Sequence, residues 1–285
     1  MIKLIASDLD GTLVSGNMAK LPEEFPALVR ELKERGILFA AASGRQYHNL
    51  RRLFAEVKDD IAYICENGAL TVYQDKILHK TEIPTETASL IIRRLEEEPD
   101  TEVLVSGAFC SYINPKDPYF EQYIKDMGNE YKVIPNLTDI GEPVIKLALF
   151  EKAGTEDRER QSYWQNQFSR SESFPFDVKV VTSGSLWLDF LFPNSDKGIG
   201  IKSLAGRLGL RREEILSFGD NFNDIEMFQA SGISVAVENA RPGIAELCDY
   251  TTPSVVEFIE EMLAASADSS APQLRLTDTV CISGQ

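Results

Sequence analysis

Short, mostly apolar strands alternate with amphipathic helices at both ends of this 285-residue chain, and that alternation confines it to an α/β architecture. Ile2–Ser7 reads as a buried strand that stops abruptly at Asp8. Pro22 to Arg35 places Phe25, Leu28, Val29 and Leu32 at helical spacing, with Gly36 closing the helix. Ile37–Ala42 predicts a second buried strand, a helix carries Tyr47, Leu50 and Phe54, and Ile61–Cys65 predicts a third strand. This order calls for parallel pairing through right-handed crossovers. A hairpin follows, Leu70–Val72 and Ile77–His79 about Gln74-Asp75-Lys76. The alternation returns after Ser195, with a helix over Gly198–Leu208, a strand over Glu214–Phe218, and a helix over Asp224–Ala230. A strand over Ile233–Val237 and a last helix over Val255–Leu263 complete it.

Between these blocks the texture changes. From about Ile83 the pattern predicts helices over Glu86–Glu97, Tyr119–Met127 and Glu156–Phe168. Strands are expected over Glu102–Ser106, Cys110–Ile113, Val144–Phe150, Asp177–Val181 and Leu186–Phe190. Charged, proline-containing connections separate them, as in an α+β domain with helices on one face of a mainly antiparallel sheet. The simplest organisation is a discontinuous α/β domain, residues 1–82 and 191–264, interrupted by an α+β insertion at 83–190. Residues 265–285 have no periodicity and read as a mobile tail.

Composition narrows the function. Lys and Arg number 29 against 45 Asp and Glu, a net charge of −16. Such acidity argues against a nucleic-acid partner and against docking on an anionic membrane, because both need cations. It leaves room for a small phosphorylated compound if a cation stands between the two. The four cysteines, Cys65, Cys110, Cys248 and Cys281, show no C-x-x-C spacing and suit reduced thiols in a cytosol. The N-terminus reads as lacking a signal peptide, and no apolar run approaches the roughly 18 residues of a membrane span. There is no nucleophile elbow, no P-loop and no dinucleotide fingerprint, so the chemistry falls to carboxylates.

Two acidic clusters follow apolar strands directly. Asp8-Leu9-Asp10-Gly11-Thr12 comes after the first strand, at the carboxyl end where open α/β sheets bind ligands. Alternate residues of an extended segment face one way, which lets Asp8 and Asp10 converge. A lone Asp before Gly is ordinarily a cap or an Asx-turn. The second cluster, Gly219-Asp220-Asn221-Phe222-Asn223-Asp224, holds four Asn or Asp in five positions, and a helix cap needs one. Two such clusters repel unless a cation is shared, and few, hard oxygen ligands suit Mg²⁺ better than Ca²⁺. Lys197 opens a helix, an electrostatically unfavourable place that hints at a nearby anion. Ser43-Gly44-Arg45, after the Ile37–Ala42 strand, offers a hydroxyl and backbone amides to an anion.

In this order, D-x-D-G-T, a strand-terminal Ser, a Lys-Gly helix start and G-D-x-x-N-D resemble the four motifs of the haloacid-dehalogenase-like phosphohydrolases. Glu66-Asn67-Gly68-Ala69 and the large insertion resemble the Cof-like branch. The resemblance spans residues 1 to about 260. It implies a Rossmann-like three-layer core with a mainly parallel sheet, and an inserted α+β cap that excludes water and contacts the leaving group. It further implies a Mg²⁺-dependent phosphatase acting on a small phosphorylated metabolite through an aspartyl-phosphate. Asp8 would be the nucleophile and Asp10 the general acid and base. Mg²⁺ would be held by Asp8, the Asp10 main-chain carbonyl and Asp220. Ser43, the Gly44 amide, Lys197 and Asn223 would hold phosphoryl oxygens, and Asp224 would orient Lys197 or Asn223. One departure is Glu238-Asn239-Ala240, where the branch usually carries Gly-Asn-Ala. The alternatives are a phosphotransferase or mutase on the same fold and a catalytically silent binding module. None of these patterns encodes an oligomeric state or names the leaving group.

Overall fold

The computed structural model describes residues 1–14, 20–151, 158–169, 177–182 and 186–267. The chain begins with β1 (Leu4–Ser7), α1 (Phe25–Glu34), β2 (Leu38–Ala42), α2 (Tyr47–Leu53) and β3 (Ala62–Cys65). After a 3₁₀ turn at Glu66–Gly68 come the hairpin strands β4 (Leu70–Tyr73) and β5 (Lys76–Lys80). The middle of the chain forms α3 (Thr85–Glu96), β6 (Thr101–Ser106), β7 (Ser111–Ile113), α4 (Pro118–Asp126) and β8 (Tyr131–Val133). It continues with β9 (Lys146–Glu151), α5 (Arg158–Gln167), β10 (Lys179–Thr182) and β11 (Trp187–Leu191). The last part forms α6 (Lys197–Leu208), β12 (Ile215–Gly219), α7 (Ile225–Ala230), β13 (Ile233–Val237), β14 (Tyr250–Thr252) and α8 (Val255–Ala267).

These strands make an eight-stranded sheet, ordered β14-β13-β12-β1-β2-β3-β4-β5, and a six-stranded sheet, ordered β10-β11-β9-β6-β7-β8. The run β14-β13-β12-β1-β2 is parallel throughout. The second sheet is antiparallel except for the β7–β8 pair. The α/β core with a second, mainly antiparallel sheet is thus the architecture expected from the alternation.

By internal contacts the chain divides into two compact units. One comprises residues 1–43, 53–63 and 197–285, and the other residues 44–52 and 64–196. The second unit therefore takes in residues 44–52, 64–82 and 191–196 besides the 83–190 insertion.

In the first unit every residue of β1 is buried, which is why Leu4, Ile5 and Ala6 run on without a polar alternation before Ser7. Phe25 of α1 meets Phe39 of β2 edge-on at 5.1 Å, and Phe54 closes the trio at 6.1 and 6.2 Å. Phe218 of β12 packs edge-on against Phe258 of α8 at 5.3 Å. In the second unit Trp164 is wholly buried, stacked on Phe168 and edge-on to Phe190. It is a core residue.

Two strands, β8 and β14, have no forerunner in the apolar pattern. Tyr131-Lys132-Val133 is a mostly exposed edge strand and Tyr250-Thr251-Thr252 carries no aliphatic residue, so neither shows a buried run. The expected helix over Asp224–Ala230 is instead a 3₁₀ turn at Phe222–Asp224 followed by α7. The hairpin loop is two residues long, not three, since Tyr73 pairs with Lys76. Gln74 and Asp75 both have positive φ, 51° and 57°, as a mirror-image turn requires. The last helix runs three residues past Ala264, and the tail from 268 on lies outside the described residues.

Two measurements follow from these local features. Asn tolerates the left-handed region better than Gln, so Gln74→Asn should raise stability by up to about 1 kcal/mol in urea unfolding. Glu214 accepts the Arg211 amide at 2.9 Å and lies 2.9 Å from Lys3 Nζ. The Arg211 backbone hydrogen bond, then Lys3, pull its carboxyl from about 4.5 down to about 2. A folded-state value below the unfolded one stabilises the protein above about pH 4.5, and this contribution disappears as pH falls towards 2. Glu214→Gln should therefore lower the urea midpoint at neutral pH and flatten its decline over that acid range.

Candidate active site

Three neighbouring parallel strands, β12, β1 and β2, deliver their carboxyl ends to one edge of the sheet. The register pairs Ser7 with Phe218 on one side and with Ala41 on the other. Asp8 follows the last paired residue of β1, Asp220 stands two residues past Phe218, and Ser43 two past Ala41. Adjacent strands lie about 4.8 Å apart, so chain segments some 200 residues apart in sequence arrive side by side. The Asp8 amide donates to the Phe218 carbonyl at 2.9 Å and locks this junction.

Lys197, the first residue of α6, is completely buried. Its Nζ lies 2.6 Å from Asp8 Oδ1 and 2.6 Å from Asp224 Oδ1. Asp224 Oδ2 accepts the amides of Asp220 and Asn221, each at 3.1 Å, so one carboxylate braces both the lysine and the turn bearing Asp220. Thr12 Oγ1 donates to Asp220 Oδ1 at 2.9 Å. Asp8, Asp220 and Asp224 each place a carboxylate oxygen within 4.8 Å of the others.

Two glycines make room for these carboxylates. Gly11 has φ +97°, and a Cβ there would stand 2.6 Å from Asp220 Oδ2. A Cβ on Gly219 would stand 2.7 Å from the Asp224 side chain. Asn239 Nδ2 donates to the Gly11 carbonyl at 2.7 Å, and the Arg241 backbone amide donates to the Asp220 carbonyl at 2.8 Å. Glu238, the acidic residue of the unusual Glu-Asn-Ala loop, is exposed, so the substitution leaves the Asn239 contact in place.

The electrostatics follow from burial. Desolvation pushes the Asp8 carboxyl well above the ordinary aspartate range; Lys197 opposes this, and the charges of Asp224 and Asp220 add to it. Asp220 is raised by burial and by Asp224, against the pull of Thr12 and Lys197. Burial alone would lower the Lys197 ammonium, but Asp224 and Asp8 outweigh it and hold it above the ordinary lysine value. Three carboxylates against one ammonium leave a formal deficit of two positive charges. The donor set is hard carboxylate oxygen, partly shielded from water, which fits a hard divalent cation.

The other residues expected at the site occupy the same sheet edge or its neighbourhood in sequence. Asp10 is exposed, in the turn closed by the Asp10–Val14 bridge. Ser43 is buried at the end of β2. Asn223 is half-buried in the 3₁₀ turn after β12. Gly44 falls in the second unit, where its carbonyl accepts a hydrogen bond from Lys146 Nζ at 2.6 Å. Thr12, Asn239 and Lys146 carried no functional reading from sequence, although Thr12 belongs to the D-x-D-G-T motif and Asn239 to the loop noted for its departure.

The family profile of the haloacid dehalogenase-like hydrolases matches residues 5–257. This chain is a haloacid dehalogenase-like hydrolase. Its curated relatives include the 5-amino-6-(5-phospho-D-ribitylamino)uracil phosphatase YbjI of Escherichia coli, 29% identical over 93% of this chain and 98% of the relative. Another is phosphoglycolate phosphatase 1 of Saccharolobus solfataricus, 26% identical over 94% of this chain and 99% of the relative. Among solved structures, SMU.1108c of Streptococcus mutans has the same fold, with a TM-score of 0.81 and 23% identity, covering 93% of this chain and 100% of that one. As a haloacid dehalogenase-like hydrolase, the chain places the Asp8, Lys197 and Asp220–Asp224 motifs in one cluster.

The clearance at Gly219 gives a test of that cluster. Gly219→Ala should drive the Asp224 carboxylate off Lys197, cost about 1–3 kcal/mol of stability in urea unfolding and lower hydrolytic turnover. Gly206→Ala, where a Cβ meets open space within a helix, should change neither adversely.

Proposed function

We propose that this hydrolase is a Mg²⁺-dependent phosphatase that cleaves small phosphate monoesters through an aspartyl-phosphate on Asp8. The observation that carries the reading is the buried Lys197 ammonium, 2.6 Å from both Asp8 and Asp224, beside the Asp220 carboxylate. The relatives named above support the reaction class, since one is named for a ribityl phosphate ester and the other for phosphoglycolate. Reduced thiols and acidity suit work on a soluble metabolite in the cytosol, and no helix among the described residues is long and apolar enough to cross a membrane. We assign the chemistry to a core of residues 1–82 and 191–264, with 83–190 as an inserted cap.

Asp8, the Asp10 main-chain carbonyl and Asp220 would hold Mg²⁺, which supplies the positive charge that lets an anionic nucleophile meet an anionic ester. Asp8 attacks phosphorus, and the bond from phosphorus to the ester oxygen breaks. Asp10 gives its proton to the departing alkoxide and then removes one from the water that hydrolyses the aspartyl-phosphate. The Ser43 hydroxyl, the Gly44 amide that follows it in the chain, Lys197 and Asn223 hold phosphoryl oxygens, where charge builds in the transition state. Asp224 is a positioning residue, fixing Lys197 and the Asp220 turn.

Turnover of p-nitrophenyl phosphate is the direct test. Asp8→Asn should reduce it by at least about a thousandfold while leaving the fold intact. EDTA should abolish it, and added Mg²⁺ should restore it. Unchanged turnover in either experiment would overturn the mechanism. Metal binding can be read without catalysis. Mg²⁺ at about a hundred times its dissociation constant should stabilise the folded chain by about 2.7 kcal/mol. Asp220→Asn should remove most of that gain in a thermal melt.

A further inference from the structure

The second unit contains a buried ionic cluster that the proposed chemistry does not use. Lys146 Nζ, on β9, lies 2.6 Å from Glu66 Oε2, 3.2 Å from Asp189 Oδ2 and 2.6 Å from the Gly44 carbonyl oxygen. An ammonium has three N–H donors, and here three oxygens meet them. Asn67 Nδ2 donates to Asp189 Oδ2 at 2.6 Å. Lys146, Glu66, Asn67 and Asp189 are each 5% exposed or less. Such a cluster is costly: two carboxylates and an ammonium leave water, with a residual formal charge of −1. Glu66 and Asn67 also both hold left-handed backbone, φ 51° and 52°, a conformation that costs a non-glycine residue energy. Strain and buried charge in one place call for an explanation beyond packing, because apolar residues would fill the same space more favourably.

The explanation lies in what the cluster grips. Gly44 and Arg45 follow Ser43 directly at the end of β2. Lys146 holds the Gly44 carbonyl, and the Glu66 amide holds the Arg45 carbonyl at 3.1 Å. Glycine has the widest backbone freedom of any residue, and a glycine left free here would sample many orientations of its peptide. A charge-assisted hydrogen bond to its carbonyl removes that freedom. Gln46 extends the anchoring, bonding Ser111 Oγ and the Glu130 backbone through its side-chain amide. Three consecutive residues after Ser43 are thus tied down, and the first tie is the shortest and the only charged one of those described.

We infer that Lys146 is a positioning residue for phosphate binding: by fixing the Gly44–Arg45 peptide it restricts rotation about Gly44 and so presets the preceding Ser43–Gly44 unit, whose N–H receives a phosphoryl oxygen. Glu66 and Asp189 keep the ammonium aimed at that carbonyl, and Asn67 keeps Asp189 aimed at the ammonium. The inference rests on the phosphatase reading for the role of Ser43 and Gly44, while the grip itself is a feature of the second unit.

The test uses the full chain with Mg²⁺ and two variants. Lys146→Met combined with Glu66→Gln and Asp189→Asn removes every charge without leaving one unpaired. Lys146→Gln with Asp189→Asn keeps the formal charge of the cluster at −1 and serves if the triple variant loses cooperative unfolding. In the folded variant, KM for p-nitrophenyl phosphate and the inhibition constant of inorganic phosphate should both rise about tenfold, the worth of one hydrogen bond to a charged group. The kcat should stay within about threefold, because Asp8, Asp10 and Lys197 are untouched. A merely structural role would lower stability and leave both constants alone, and that result would overturn the inference. The amide resonance of Gly44 in the wild-type chain, followed while inorganic phosphate is added, separates the two proposals. A shifted Gly44 signal without ester turnover would remove the phosphatase reading and keep the phosphate site. An unshifted Gly44 signal in an active enzyme would remove the Lys146 inference alone.

Discussion

A lysine with no access to water, gripped by two carboxylates, is the interaction around which this protein is organised. Lys197 brings α6 to the end of β1 through Asp8, and to the turn after β12 through Asp224. An ammonium in that position is stable only while both partners are charged and close, and removing either partner strands a charge in a low-dielectric interior. The surrounding geometry serves that condition. Gly219 has no side chain because the Asp224 carboxylate occupies its space, and Gly11 is left-handed and bare because Asp220 comes so near. Asp224 then uses its second oxygen to hold two backbone amides, so the same group that pairs the lysine also shapes the loop that carries Asp220.

The second unit repeats the device with different parts. Lys146 is also an ammonium between two carboxylates, but its third bond goes to a main-chain carbonyl, and among the described residues no third acid is near enough to complete a metal-binding trio. In the first unit the surplus negative charge is concentrated on oxygens that can meet a cation. In the second the carboxylates hold an ammonium whose remaining N–H bonds the Gly44 carbonyl, and the Glu66 backbone amide bonds the Arg45 carbonyl. One arrangement gathers three carboxylates around a single ammonium, and the other joins its ammonium to main chain.

Much of this was legible in the residues. The strands β1, β2, β3, β12 and β13 announce themselves because a parallel strand buried on both faces must be continuously apolar. Their carboxyl ends then point to Asp8, Ser43 and Asp220 without any contact being known. The parts that escaped have identifiable reasons. β8 and β14 are three residues each and carry no run of buried apolar residues, so they leave no periodic trace. Lys146 sits inside Val-Ile-Lys-Leu-Ala-Leu-Phe, where one polar residue looks like an interruption of an apolar strand. Its partners are 80 residues before it and 43 after it, and no local pattern joins positions so far apart. Glu66-Asn67-Gly68 reads as turn chemistry, which is true of its backbone, yet Glu66 and Asn67 are buried and their side chains serve the cluster. Asn239 was visible only as part of an unusual tripeptide, and its value lies in a carbonyl contributed by Gly11.

The place of β1 in the sheet has a consequence for how the chain comes to exist. β1 is made before its partners, and β2 arrives some thirty residues later to pair with one of its edges. The other edge waits for β12, which begins at Ile215. At about 5–20 residues per second, a ribosome needs roughly 10–40 s to close that gap. Throughout that time an apolar strand keeps a row of unpaired backbone groups, the kind of edge that recruits strands from other chains. Asp8, at the end of that open strand, also waits for Lys197 and Asp224. The nascent protein therefore carries an open apolar edge and an unpaired carboxylate at the same point, and the docking of the C-terminal part resolves both.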